Sequence, residues 1–342
     1  MRVFHIFSDQ FTELESPPEA LPAPGVTSKS ASSAPAPHHV FSPRDLLLLA
    51  VLTIVWGVNW PIMKLGVTGF PPLAFRALSM WLGLPVLWAV LRVQGIGFTI
   101  HSRDWRELGK LSLTNMIVWH VLAILAVQAL SSGRAAILGY TMPIFSALWG
   151  VAVFGDRLRP RHVAGVVAAA IGVALLLWHE FDTISGRPLA AIGMLTAAVV
   201  WALGTQQMRR TKIEAPTLAI VFWMTLLTTL VMTVATIAFE RDRWAVPNAT
   251  TMAAIAYNAV LIFGFAQPIW LILARSLPPV ASSMSVMLIP VLGTISGAWW
   301  LNEKLHWQDG AAIVLVLVAI AAVMWPARGA RVAAPAADVG TL

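Results

Sequence analysis

Eleven polar or basic side chains stand inside long apolar runs of this 342-residue chain, and chemistry would have to start from them. They are Asn59, Arg76, Asn115, His120, Gln128 and Tyr140, then Gln206, Gln207, Tyr257, Asn258 and Gln267. A polar group in hydrocarbon is costly and usually faces a bundle interior or a cavity, so each is a candidate for ligand contact. The amides could equally serve as hydrogen-bonding links between helices. Trp56, Trp60, Trp119, Trp201 and Trp270 could wall an apolar or aromatic ligand, although tryptophan in such runs also packs cores and lines interfacial belts. The expected substrate-binding set is Trp56, Asn59, Arg76, His120, Tyr140, Trp201, Gln206 and Gln267.

Two of these residues carry distinct chemistry. Arg76 lies about six residues into its run, roughly 9 Å along a helix axis. A central arginine costs about 2.5–3.5 kcal/mol on insertion scales, and less where it reaches headgroups. Arg76 and Lys64 could therefore snorkel, pair structurally, or face a vestibule that attracts carboxylates and phosphates. His120 is the one mid-run side chain that titrates near neutral pH; it could bond a neighbouring helix or relay protons. No acidic residue falls in the middle of a run, since Asp156, Glu303 and Asp309 stand at run ends. A mid-depth carboxylate for protons or sodium is thus not visible.

Other chemistries lack their parts. The chain has no cysteine, which removes disulfides, thiolate metal sites and cysteine nucleophiles. Gly95-Ile96-Gly97 is a fragment, and no glycine-rich loop ends in Gly-Lys-Ser/Thr, so ATP-driven work is unsupported. His179-Glu180 lacks the second histidine of a zinc-protease helix. Asn248-Ala249-Thr250 matches a glycosylation sequon and is read as noise. No catalytic residue, metal or cofactor is expected. A lipid-modifying membrane enzyme would want an Asp-rich or His-based centre near one face, and a receptor or scaffold would want a soluble output domain. Both stay as alternatives.

The elements that must position these residues follow from composition. Hydrophobic residues make up 58% of the chain and charged ones 11%, and mean hydropathy is +0.75, far from soluble-domain values. A spanning helix needs roughly 20 apolar residues, so ten would use about 200 positions, close to the apolar total. Runs at 45–67, 70–92, 107–130, 133–154, 161–179, 187–208, 216–239, 251–274, 279–301 and 307–326 are the expected spans. Lipid forces each to be helical, because backbone groups there have no water to bond. Residues 1–44 are Pro-, Ser- and Ala-rich without apolar period and read as a disordered cytoplasmic tail, not a signal peptide. Residues 327–342 read as a second tail.

Basic residues orient the chain. With the amino terminus inside, fourteen Lys and Arg fall on inside loops and termini against six outside, which puts both termini in the cytoplasm. The formal charge of +7 is thereby a topological label and calls for no nucleic acid. The expected partners are a small-molecule substrate and the lipid bilayer, with a second copy of the chain as a further candidate.

A repeat organises the spans. Pro143 is followed thirteen residues later by Asp156-Arg157-Leu158, and Pro290 at the same distance by Glu303-Lys304-Leu305. At this offset of 147, Gly150 matches Gly297, and near the repeat starts Trp56-Gly57 corresponds to Trp201-Ala202. Five spans per half is an odd number, so the second half should be inverted across the membrane. The expected fold is an all-α integral membrane protein of about ten helices in two inverted five-helix repeats, 45–179 and 187–326. Such inversion is a recurrent basis for alternating access with a midplane site, although duplication alone would also leave a repeat.

These motifs also carry a resemblance. Ser132-Gly133-Arg134-Ala135-Ala136-Ile137-Leu138-Gly139-Tyr140-Thr141-Met142-Pro143, ending in Gly155-Asp156-Arg157-Leu158, resembles the drug/metabolite transporter superfamily, EamA type. Trp56-Gly57-Val58-Asn59-Trp60 with Lys64, Phe75-Arg76-Ala77-Leu78, and Leu301-Asn302-Glu303-Lys304-Leu305 are similar to further family segments. Asp156 departs from the family's usual glutamate. The resemblance covers about 45–326 and implies ten spans in two repeats, in an inner membrane, performing secondary transport, often export, of small metabolites such as amino acids. It names no substrate.

Overall fold

A computed structural model describes residues 43–156, 160–182, 187–270 and 279–324. The expected tails, up to residue 42 and from 327 onward, lie outside the described residues, as do Arg157, Leu158, Arg159, Arg275 and the end of the eighth expected span.

Every regular element among the described residues is helical. α1 covers Pro43–Val67 and α2 Pro72–Val93. α3 (Trp105–Ser112) runs through a widened π turn, Leu113–Ile117, into α4 (Val118–Ala129). α5 (Ser132–Gly139), α6 (Met142–Phe154) and α7 (Pro160–Asp182) follow. The second half holds α8 (Pro188–Arg210), α9 (Thr217–Phe239) and α10 (Ala249–Tyr257), which continues through a π segment, Asn258–Ala266. α11 (Pro279–Leu301) and α12 (Trp307–Met324) complete it.

Among the described residues, seven helical runs are long and apolar enough to cross a membrane: Leu47–Val67, Pro72–Val93, Ser102–Ala129, Ser132–Phe154, Pro188–Arg210, Thr217–Phe239 and Ala249–Trp270. Three shorter apolar helices occupy Val163–Leu176, Leu288–Leu301 and Trp307–Ala322. The chain is a multi-pass membrane protein. Its outward side chains agree, because Leu47, Ile54, Leu82, Val234 and Ile295 are exposed on helix surfaces. Trp178, Trp299 and Trp307 are exposed near helix ends, where an amphipathic indole suits the headgroup boundary.

The repeat is visible in how helices stop. Gly155 ends α6 with φ +73°, and Asn302, 147 residues on, follows α11 with φ +52°. Glycine has no Cβ to clash in this left-handed region, and asparagine tolerates it better than most. One turn earlier, a Cβ on Gly150 would come within 2.5 Å of Asp156 Oδ2, and one on Gly297 within 2.7 Å of Glu303 Oε2. Each glycine thus makes room for the acid that folds back along its helix end. Helix pairing repeats in the same way: α1 packs on α11 as α8 packs on α6, and α7 packs on α12.

One difference from the sequence reading concerns the fourth span. It is not one helix with Pro143 inside; the chain breaks at Tyr140 and Thr141 between α5 and α6. Pro143 then occupies the first turn of α6, where its missing N–H leaves no partner unsatisfied. In the second half Pro290 stays within a continuous α11.

Carboxylates join the halves at helix ends. Glu240 accepts from the backbone N–H of Leu73 (3.1 Å) and Ala74 (2.8 Å) at the start of α2. Glu303 accepts from Ser132 N–H and Ser132 Oγ, both at 2.8 Å, and from Gly133 N–H at 3.4 Å, at the start of α5. The first N–H groups of a helix lack internal acceptors and carry the positive end of its dipole, so an anion is well placed there. Arg134 and Asp309 add a buried ion pair of 2.8 Å between the halves.

Candidate functional site

A cavity with about 1000 Å³ of atom-free space, including its open part, lies among side chains of both halves. α1 contributes Trp56, Asn59, Trp60 and Met63, whose spacing of three, four and seven residues places them on one helical face. α2 adds Arg76, and α4 adds Trp119, His120 and Ala123. The break between α5 and α6 delivers Tyr140, with Met142, Pro143 and Ser146 just beyond it. From the second half come Trp201 and Thr205 of α8, Ile262 of the π segment, and Gln267 with Trp270.

Seven of the eight residues singled out from sequence therefore meet: Trp56, Asn59, Arg76, His120, Tyr140, Trp201 and Gln267. Gln206 is not among the lining residues. Its amide Nε2 donates to Ser146 O at 2.7 Å and Ser146 Oγ at 3.0 Å, and its Oε1 accepts from Arg210. Sequence reasoning missed Met63, Ala123, Met142, Pro143, Ser146, Thr205 and Ile262. Met63 and Thr205 carried a usable signal, since they sit one or two turns from Trp56 and Trp201 on the same faces.

Tyr257 and Gln207 are structural links. Tyr257 Oη donates to Val55 O across the halves at 2.7 Å, and Thr114 Oγ1 donates to Gln207 Oε1 at 2.8 Å. Asn115 is buried against Gly204, where a Cβ would come within 2.8 Å of the Asn115 backbone nitrogen. Lys64 does not snorkel: its Nζ donates to the carbonyls of Val127 (3.0 Å), Gln128 (2.8 Å) and Leu130 (2.8 Å), closing the end of α4.

Aromatic rings dominate the wall. Trp56 meets Trp270 edge-on at 5.4 Å between centroids, Trp60 meets Tyr140 at 6.2 Å, and Trp119 meets Trp201 at 5.9 Å. Gly139 permits this crowding, because a Cβ there would stand 3.1 Å from Trp60 and 3.2 Å from Trp119.

The polar groups in this wall are few and incompletely bonded. Arg76 is 2% exposed, so it does not snorkel to the headgroups. Its Nη1 donates to Asn258 Oδ1 at 3.2 Å, its Nη2 approaches Met63 Sδ at 2.8 Å, and its guanidinium carbon lies 5.6 Å from the Phe263 ring centre. The Nε hydrogen has no acceptor among the described residues, and neither His120 ring nitrogen nor Asn59 Oδ1 has a partner. His120 instead stands edge-on to Phe263 at 5.3 Å. Among the described residues no group of three His, Asp or Glu side chains converges as a metal site. The arrangement can bind a ligand through the Arg76 cation, the unpartnered Asn59 Oδ1 and His120 ring nitrogens, and flat apolar faces.

Comparison with known proteins agrees with this architecture. The EamA-like transporter family matches twice, over residues 44–178 and 188–325. A relative from Bacillus subtilis (strain 168), "Uncharacterized transporter YvbV", is 25% identical over 85% of this chain and 95% of its own. An Escherichia coli (strain K12) protein called "Probable amino-acid metabolite efflux pump" is 23% identical over 82% of this chain and 94% of its own. "Uncharacterized inner membrane transporter YedA" from the same strain is 24% identical over 82% and 92%. One solved structure, whose description names no activity, aligns with a TM-score of 0.62 at 21% identity, covering 82% of this chain and 96% of that one, which speaks to fold alone. With two consecutive family units filling its membrane part and relatives named as transporters over most of its length, the chain belongs to the EamA-like transporter family and is a membrane transporter.

Proposed function

We propose that this transporter is a secondary exporter of a small metabolite, such as an amino acid or related compound, working by alternating access. The observation that carries the reading is the cavity's location between the two family units, walled by side chains from both. A site shared by two halves can be opened to either face by rocking one half against the other. The seven long helical runs and the three shorter apolar helices would supply ten spans, five in each repeat, 45–179 and 187–326. Pairing of α1 with α11 and of α8 with α6 supports halves related by a twofold exchange, and five spans per half would invert them.

Orientation rests on charge: fourteen basic residues against six favour cytoplasmic termini, and the inner membrane named for one relative suits them. The efflux activity in another relative's name supports export. The substrate-binding residues proposed are Trp56, Asn59, Arg76, His120, Tyr140, Trp201 and Gln267. Gln206 would act indirectly through Ser146.

The test compares metabolite pools inside cells and in the medium, with and without overexpression of the chain. Specific enrichment outside is expected. Purified protein in vesicles that moves no solute, yet turns over a lipid, would refute the reading in favour of an enzyme.

A further inference from the structure

We infer that the cavity recognises its substrate through a carboxylate held by Arg76, and that it excludes cations; this rests on the transporter reading above. A guanidinium is permanently charged and has five N–H donors. Here it is buried at 2% exposure, and its nearest partners are a neutral amide oxygen of Asn258, a thioether of Met63 and the face of Phe263. None of these neutralises it. The cavity lining includes no Asp or Glu, and no ion pair to Arg76 occurs among the described residues. A buried charge without a counter-ion is strongly unfavourable, so a bound anion would complete the site.

The remaining groups narrow the ligand. Among the described residues Arg76 is the one Lys or Arg in the lining, which suits a single negative charge better than a phosphate dianion. Its Nε hydrogen is unspent, so a carboxylate oxygen could take a charge-assisted bond there. Asn59 Oδ1 is an unpartnered acceptor on the same wall and calls for a donor on the ligand, such as an amine or amide N–H. The five tryptophans and Tyr140 receive an apolar or aromatic body. A cationic ligand would face Arg76 with no acid to offset the repulsion. For an N-acylated ligand, coupling also becomes simpler, because such a monoanion leaves an inside-negative cell down the potential, whereas a zwitterionic amino acid carries no net charge across.

The test uses purified full-length protein in detergent, with ligand-induced thermal stabilisation and titration of matched pairs. The pairs are hippurate with hippuramide, tryptophan with tryptophanamide, and leucine with leucinamide, which differ only in carboxylate against carboxamide. The carboxylate member of at least one pair should bind about tenfold to a hundredfold more tightly, the worth of a charge-assisted bond. Arg76→Gln should erase that preference and Arg76→Lys should keep part of it. Amides that bind as well as carboxylates, no binding by any member, or an unchanged preference in Arg76→Gln would overturn the inference. If the variants fail to fold, the wild-type pairs decide alone. Flux in vesicles separates the two readings: carboxylate binding without flux retires the transporter mechanism only, and equal flux of acid and amide retires carboxylate recognition only.

Discussion

Replacing Glu303 with glutamine should loosen one end of the cavity. The carboxylate accepts three hydrogen bonds at the first turn of α5: from Ser132 N–H and Oγ through separate oxygens at 2.8 Å, and from Gly133 N–H at 3.4 Å. Glutamine keeps one oxygen and turns an NH₂ toward the Gly133 N–H, so one charge-assisted bond and the attraction of the helix terminus are lost. Bonds to charged groups contribute about 1.5–3 kcal/mol and a helix-end charge about 0.3–1 kcal/mol. Taking about 2 kcal/mol as the loss to the arrangement with Glu303 docked on α5, the docked-to-undocked ratio falls about 30-fold.

The native chain contains no cysteine, so Ala123→Cys gives a single thiol in the cavity wall without further engineering. Its labelling by a membrane-impermeant maleimide, applied from the face that carries Glu303, should accelerate by about that 30-fold factor in Glu303→Gln. Gly297→Ala should act in the same direction, because its Cβ would stand 2.7 Å from Glu303 Oε2. Unchanged labelling in both variants, with normal thermal unfolding, would refute the idea that Glu303 holds this end shut.

The remaining predictions concern packing and ion pairs. Gly204→Val should lower the unfolding midpoint by an amount equivalent to about 1–3 kcal/mol, because its Cβ meets backbone of the third span at 2.8 Å. Gly193→Ala in the same helix has open space around it and should leave the midpoint unchanged or raise it. In double-mutant cycles, Arg134–Asp309, with side chains 12% and 5% exposed, should couple by more than about 1 kcal/mol. Arg103–Glu214, at 65% and 74%, should couple by less than about 1 kcal/mol, and high salt should remove most of it.

Much of the wall was readable from residue type alone. Hydrocarbon penalises exposed polar groups, so Asn59, His120 and Gln267 had to face inward wherever their helices ran. The break in the fourth span was not readable, because Pro143 in an apolar run is compatible with a kink inside one helix or with the start of a new one. Nor was the role of Lys64 visible: its partners are carbonyls 63 to 66 residues away, and every residue type has a carbonyl.

Gln206 and Thr205 show where sequence stops and tertiary structure begins. Composition determined that this chain lives in a bilayer, the offset of 147 determined two matched halves, and polarity determined which residues avoid lipid. None of these sets the rotation of a helix within the bundle. Adjacent residues on a helix point about 100° apart, so one packing choice decides which enters the cavity. Ser146 draws the Gln206 amide toward α6, and Thr205 lines the cavity with Trp201. The same holds for Arg76: the sequence left lipid headgroup, structural pairing and vestibule all open. Packing of α2 against the π segment buries it beside Asn258 and Phe263, because only neighbouring helices determine what an inward-facing side chain meets.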